Sequence, residues 1–81
     1  PNPFNPTTTI KYDIPKLSEV RIVVHDLMGR QVATLLNDTK SAGYHKVTWD
    51  GSNQLGEELS SGMYIYSIYA NEHNFSKKMI L

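Results

Sequence analysis

The chain has 81 residues, with eight basic and eight acidic side chains and no cysteine. This length leaves room for one domain around one core. The balanced charge gives no basic surface for a nucleic acid, and the lack of cysteine excludes disulfides and thiol catalysis. We therefore expect one small module over residues 1–81, with no nucleic-acid partner and no disulfide partner.

The chain opens with three prolines in six residues, P-N-P-F-N-P. Proline fixes its own φ and restricts the residue before it to extended conformations. Residues 1–6 are therefore predicted to form a stiff lead-in segment anchored by Phe4, with an ordinary loop as the alternative. Because no apolar run approaches the roughly 20 residues of a spanning helix and no leader sequence is present, any export address is expected elsewhere.

Apolar and polar residues alternate along most of the chain, and no segment has a helical period. In the first such segment Ile10, Tyr12 and Ile14 share a face, and Pro15 ends it. Turn formers separate the segments at intervals of about 8 to 12 residues, which is typical of an all-β sandwich. The predicted strands, about seven, are residues 9–14, 20–25, 31–36, 44–49, 57–59, 63–70 and 75–81.

The predicted turns have different strengths. Residues 26–30 place Gly29 where a short hairpin loop needs positive φ, so a hairpin is expected there. The polar residues 37–43 are predicted to be a loop or a loose edge. Residues 63–70 are apolar on both sides, which predicts the longest strand, in a central position.

The aromatic residues indicate the kind of sandwich. Trp49 shares a face with His45 and Val47, and Tyr64 and Tyr66 follow a Ser-Gly corner. These places resemble those of the core tryptophan and the tyrosine corner of immunoglobulin-like domains. The predicted fold is an immunoglobulin-like antiparallel β-sandwich of about seven strands with Trp49, Val47 and Tyr66 in its core; a barrel is the alternative.

No residue pattern predicts catalysis. Ser60 and Ser61 precede a glycine and are more simply explained by a turn than by an activated nucleophile. The three histidines, His25, His45 and His73, lie on separate segments without metal-ligand spacing. Residues 50–58 are rich in oxygen ligands but lack the register of a calcium loop. We expect no enzyme activity, no cofactor and no tight metal site.

Six blocks in a fixed order carry a family resemblance that spans essentially the whole chain. The blocks are P-N-P-F-N-P at 1–6, D-L-M-G-R-Q-V at 26–32, G-Y-H at 43–45, V-T-W-D-G at 47–51, S-G-M-Y-I-Y at 61–66 and K-K-M-I-L at 77–81. Together they resemble the type A C-terminal sorting domain of the type IX (Por) secretion system. The chain is also similar to the related immunoglobulin-like domain of flagellar hook-capping proteins.

The sorting-domain resemblance implies a non-catalytic module at the C-terminus of a larger exported protein. Its implied partners are an N-terminal cargo domain, the type IX translocon and a sortase-type protease at the cell surface, which removes the module after transport through the periplasm and the outer membrane. Family members often continue one or two residues beyond the apolar end with a lysine, and the cleaved region would precede Pro1. The implied sorting residues are Pro1, Asn2, Pro3, Asp26, Gly29, Arg30, Gly62, Tyr64, Lys77 and Lys78.

Each of these residues also has a structural explanation. Gly29 can serve positive φ alone, Arg30 can pair with Asp26, and lysines can keep an edge strand soluble. The alternative function is a carbohydrate-binding or spacer module on a secreted enzyme. Aromatic side chains can stack on sugar rings, although the strand period assigns at least half of them to the core. The aromatic residues considered are Tyr44, Trp49, Tyr64, Tyr66 and Tyr69.

Overall fold

The computed structural model describes residues 7–81 and contains six strands in that range. Pro1, Asn2, Pro3 and Phe4, and with them the predicted lead-in segment, lie outside the described residues. The described part of the chain contains no helix that could cross a membrane. The strands are β1 (Thr8–Ile14), β2 (Ser18–His25), β3 (Gln31–Lys40), β4 (Gly43–Trp49), β5 (Met63–Ala70) and β6 (His73–Ile80).

The strands form two antiparallel sheets that face each other. One sheet contains β1 and β4, and the other has the strand order β3-β2-β5-β6. The period-two alternation of the sequence places one side of each sheet in the shared core. This is the predicted immunoglobulin-like β-sandwich, and the alternative of one closed barrel is wrong because the strands fall into two separate sheets.

Apolar side chains from both sheets meet in one core. Trp49, at the end of β4, is 1% exposed. Val47 lies on the same face of β4 and is partly buried against the core, and Tyr66 is buried on β5. Other fully or nearly buried members of the core are Ile10, Ile14, Val20, Ile22, Val24, Ala33 and Ile68.

The sandwich has six strands among the described residues, fewer than the seven predicted. Residues 57–59 do not form the expected edge strand, and a single bridge joins Ser52 to Glu58. The reason is local, because Asn53 binds the backbone of its own loop, as described below, and this competes with a strand ladder.

Of the two alternatives predicted for residues 37–43, a loop or a loose edge, the structure shows an edge strand over residues 37–40. β3 continues to Lys40 and pairs with the start of β2, so that it is ten residues long and exceeds β5 as the longest strand. Pairing persists because an edge strand can expose polar side chains on its outer part while its backbone still binds its neighbour. The central position of β5, between β2 and β6, is as predicted.

Candidate recognition surface at the terminal end of the sandwich

One end of the sandwich collects the first described strand, the last strand and two loops, and we call it the terminal end. Thr8 at the start of β1 pairs with Trp49, and its Oγ1 donates to the carbonyl of Ile80 over 2.9 Å. Beyond β6, Leu81 exchanges two backbone hydrogen bonds with Gly62. A chain that precedes β1 therefore joins the molecule at the same end at which β6 finishes.

The hairpin loop between β2 and β3 lies at this end and is closed by Asp26. The Asp26 carboxylate accepts backbone hydrogen bonds from Met28 over 2.9 Å and from Arg30 over 3.0 Å, and Arg30 Nε donates to its second oxygen over 2.8 Å. The Asp26 N–H donates to the Arg30 carbonyl, and the Gly29 N–H donates to the Asp26 carbonyl. Gly29 has a φ of 85°, as the sequence predicted.

A second loop, at residues 53–57, repeats this geometry. The Asn53 side-chain oxygen accepts from the N–H groups of Leu55 and Glu57, each over 3.0 Å, and its amide donates to the Glu57 carboxylate. The Asn53 N–H donates to Glu57, and Gly56, with a φ of 81°, donates to Asn53. Residues 26–30 (D-L-M-G-R) and 53–57 (N-Q-L-G-E) thus form the same five-bond turn, and we call them the twin loops.

The twin loops lie side by side. The Gln54 side chain accepts the N–H of Thr34 on β3 over 2.8 Å, which ties the second loop to the hairpin that carries the first. Asp26 and Arg30 from one loop and Asn53 and Gln54 from the other line a shallow groove between them. Because both loops are fixed by their own hydrogen bonds, they form a surface of defined shape.

The tips of the twin loops are apolar and exposed. Leu27, Met28 and Leu55 have 62%, 81% and 84% of their surface accessible to solvent. Contiguous exposed apolar patches are a usual feature of protein-binding sites, and Leu27 and Met28 are neighbours at one tip. The chemistry that this end offers is therefore recognition by shape and apolar contact.

The electrostatics of the two acidic positions follow from these bonds. At Asp26 desolvation raises the pKa. The hydrogen bonds and positive charge of Arg30, together with the backbone hydrogen bond from Met28, outweigh this effect, so that the pKa lies below its ordinary value. At Asp50 the side-chain and backbone hydrogen bonds from Ser52 lower the pKa. Both carboxylates stay ionised at neutral pH and act as acceptors.

The corner before β5 is closed by a tyrosine. The Tyr64 hydroxyl donates to the carbonyl of Ser60 over 2.6 Å, and its ring meets the Trp49 ring edge-on with centroids 5.0 Å apart. Trp49 Nε1 donates to the Ser52 carbonyl over 2.9 Å. These contacts give Tyr64 a structural role at the terminal end and leave Gly62 to pair with the chain's last residue.

The structure brings several of the sequence-predicted sorting residues together and separates others. Asp26, Gly29, Arg30 and Gly62 lie at the terminal end, and the Tyr64 hydroxyl is bonded there. Lys77 and Lys78 are exposed on opposite faces of β6, opposite Tyr66 and Ile65 respectively. They are therefore parts of a different surface, along the free edge of the larger sheet.

Sequence reasoning missed the second twin loop and the three apolar tips. Residues 53–57 look like any loop rich in turn formers when considered alone. The available signal was the shared spacing, an Asp or Asn followed by glycine three residues later and a charged residue one further on, which occurs twice.

Metal-ligating side chains do not converge in the described part of the chain. Residues 7–81 contain no group of three or more His, Asp or Glu side chains arranged to hold an ion. His45 stacks on Tyr12 with ring centroids 5.3 Å apart, and its Nε2 lies 2.7 Å from the Ser41 carbonyl. His45 lies on β4 and contributes to packing on the smaller sheet.

Two facing antiparallel sheets, a tryptophan between them and a tyrosine that closes the corner before its strand define an immunoglobulin-like module. The chain belongs to the FlgD Ig-like domain family, whose model matches residues 5–74. This confirms the hook-capping part of the resemblance; the type IX sorting part stays a prediction.

A solved structure agrees in fold. The crystal structure of FlgD from P. aeruginosa matches 95% of this chain with a TM-score of 0.76 and 21% identity. The match spans 62% of that chain, so it concerns one part of the FlgD protein. No curated protein matches the chain.

Proposed function

We propose that this module is a non-catalytic C-terminal signal that directs an attached cargo protein through the type IX secretion system, after which a surface protease of the sortase type removes it. Its location is then the periplasm, the outer membrane and the cell surface in turn. The cargo joins before β1, at the terminal end. The module works as a folded shape that the transport machinery recognises.

The proposal rests on one observation: most of the motif residues at the terminal end make hydrogen bonds that fix the shape of the surface. Asp26 and Gly29 form a hydrogen-bonded turn, Gly62 binds the backbone of Leu81, and the Tyr64 hydroxyl closes the corner before β5. These residues fix a surface instead of presenting reactive groups, as a recognition signal requires. Lys77 and Lys78, in contrast, are exposed and free to contact the machinery directly.

A second candidate is a role in flagellar hook capping, which the family match favours. In that case the module would be an assembly part of a hook-cap protein, with the twin loops or a sheet face against neighbouring subunits. The two functions can be distinguished experimentally. A sorting signal transports an unrelated protein that is attached to it, whereas an assembly domain works only within its own hook-cap protein.

The test is transport of a fluorescent reporter. We expect residues 1–81, fused with a short upstream linker behind a periplasmically targeted reporter, to bring that reporter outside a host that has type IX machinery. The same fusion in a strain without the translocon should stay in the periplasm. Equal retention in both strains would reject the sorting function, and restored motility when the module replaces the corresponding domain of a hook-cap protein would favour the second candidate.

The basic strand is tested with a matched pair of variants. Deleting residues 77–81 also removes the buried Met79 and Leu81, so loss of export could report misfolding. Lys77→Gln with Lys78→Gln keeps both apolar side chains and should change the free energy of unfolding by no more than about 0.5 kcal/mol. Lys40→Gln, on the opposite edge strand, is the control. If export falls for the double variant and not for the control, the transport machinery recognises the lysines. If export stays normal, the overall shape of the module is sufficient for recognition.

A further inference from the structure

We infer that the groove between β1 and β6 binds an extended, acidic peptide strand, which adds to the free edge of β1. This groove lies on the side of the sandwich, away from the twin loops, and the inference does not rest on the proposed function. Its basis is an unequal pair of sheets, a row of free backbone groups, an apolar floor and a basic rim.

The first observation is the difference in sheet width. Two strands face four, and within residues 7–81 β1 pairs with β4 alone. In the same part of the chain β6 pairs with β5 alone, so the free edges of β1 and β6 run along the same side of the molecule. Between them the inner face of β6 has no opposing strand among the described residues.

The second observation concerns the backbone of β1. Within residues 7–81, no hydrogen bond reaches the main-chain groups of Thr8–Ile14 on the side away from β4. Strand addition satisfies such groups and gives affinity through the main chain. Because β1 has seven residues and Pro15 follows it, the occupant should pair over about seven residues, or about 23 Å at 3.3 Å per residue.

The third observation is the apolar floor of the groove. Phe75 points to the inner side of β6, is 50% exposed, and meets the Tyr66 ring edge-on with centroids 6.3 Å apart. Tyr12, Ile14 and Ile68 continue the floor beside it. A strand paired with β1 would place alternate side chains on this floor, and burial there requires them to be apolar.

The charge of the rim selects the other side chains of the occupant. Lys11, Lys16, Lys77 and Lys78 line the groove against one carboxylate, Asp13, in a chain whose formal net charge is zero. The described structure gives none of these lysines an ion pair. Such an excess of positive charge favours an acidic partner, both in the rate of encounter and in register. Lysine also discourages edge-to-edge aggregation, and the experiment separates the two roles.

The experiment measures binding of the synthetic heptapeptide acetyl-EVELEVE-amide to the full 81-residue chain. We expect saturable binding by fluorescence anisotropy, with amide chemical shifts that move in β1 and β6 and not in β3. The peptide KVKLKVK should bind at least about tenfold more weakly at low salt. Equal binding of the two peptides, or shifts outside the groove, would overturn the inference.

Strand addition itself has a distinctive signature. Successive N–H groups of a strand point to opposite edges, so N-methylation of alternate residues blocks one edge of the peptide at a time. We expect one of the two methylated peptides, odd or even positions, to lose binding and the other to keep it. Loss in both or in neither would exclude pairing at an edge.

Protein variants complete the test. Lys77→Glu should weaken binding of EVELEVE about tenfold, whereas Lys40→Glu on the far edge, which changes the net charge by the same amount, should change it less than about twofold. Equal effects would mean that net charge alone is responsible and would overturn the inference. Sedimentation of the free chain tests the competing occupant, because concentration-dependent dimers that the peptide cannot dissociate would identify a second copy in the groove and reject the peptide.

Discussion

Trp49 is the residue on which the packing of the two sheets depends most. Its ring is almost completely buried, contacts the Tyr64 ring, and donates a hydrogen bond to the loop that follows it. Because a module of this size has few core residues, the loss of one large side chain removes a substantial part of its stability.

Trp49→Ala is expected to lower the free energy of unfolding by about 3 to 5 kcal/mol, since it removes a large buried ring and leaves a cavity. Urea unfolding measures this. Tyr44→Ala is the matched control, because Tyr44 lies on the same strand with 88% exposure, and it should cost no more than about 0.5 kcal/mol. Tryptophan emission in the folded protein as red-shifted as in the denatured chain would contradict the burial.

Asp26 gives the module part of its dependence on acid. Its pKa is lower in the folded state, so the stability it contributes is complete above the ordinary aspartate value, about 3.9, and is lost as the pH falls through the lower folded value.

Asp26→Asn should therefore flatten the fall of stability below about pH 4, because asparagine keeps an acceptor oxygen but has no charge to protonate. Urea midpoints between pH 7 and pH 2 measure the slope. Glu72→Gln, in the exposed turn before β6, removes a negative charge without any such set of hydrogen bonds and serves as the control. An acid dependence in Asp26→Asn identical to that of the unmodified chain would show that the Arg30 and Met28 bonds do not act through the carboxylate.

At the scale of elements, the twin loops explain why two dissimilar stretches of sequence have one conformation. An Asp or Asn side chain supplies the acceptor, and a glycine three residues later supplies positive φ. The surrounding strands then hold the loops side by side. The conformation of each loop therefore depends mainly on its own residues and little on contacts with the core.

Gly56→Ala tests this reading of the second loop. Apart from Gly56 and its two chain neighbours, no atom lies within 4 Å of a Cβ added there, so the cost should come from backbone conformation alone and amount to about 1 to 2 kcal/mol. Gly56→Asn should cost less, because asparagine tolerates the left-handed region. Thermal melts of the two variants measure the difference. If asparagine were as costly as alanine, φ would not be the cause.

At the scale of the whole molecule, the two sheets have separate tasks. The larger sheet carries the exposed lysines of β6, and the smaller sheet supplies the free edge of β1. The terminal end contains the start of β1, the end of β6 and the twin loops. Recognition surfaces can therefore be changed one at a time without altering the core.

No divalent metal should be needed for folding. The side-chain oxygens of Asp50 and Asn53 accept from Ser52, Leu55 and Glu57 within the loop, and that of Gln54 accepts from Thr34 on β3. EDTA should leave the melting temperature unchanged. A rise of several degrees with millimolar calcium that disappears in Asp50→Ala would instead reveal a calcium site.

The sequence by itself determined the strands whose alternation is strong, because a period of two can bury one face only if the segment is extended. It also located the hairpin at Gly29, the burial of Trp49 and the central place of β5. These properties are local or depend on one face of one strand.

The tertiary structure alone decided the rest. The polar half of β3 forms a strand because β2 is there to pair with it, and residues 57–59 are not a strand because Asn53 binds their loop first. The sheet that each strand joins determines that the twin loops lie side by side and that a groove forms beside β1. Sheet membership is fixed by contacts between residues distant in the chain, which periodicity along one segment does not encode.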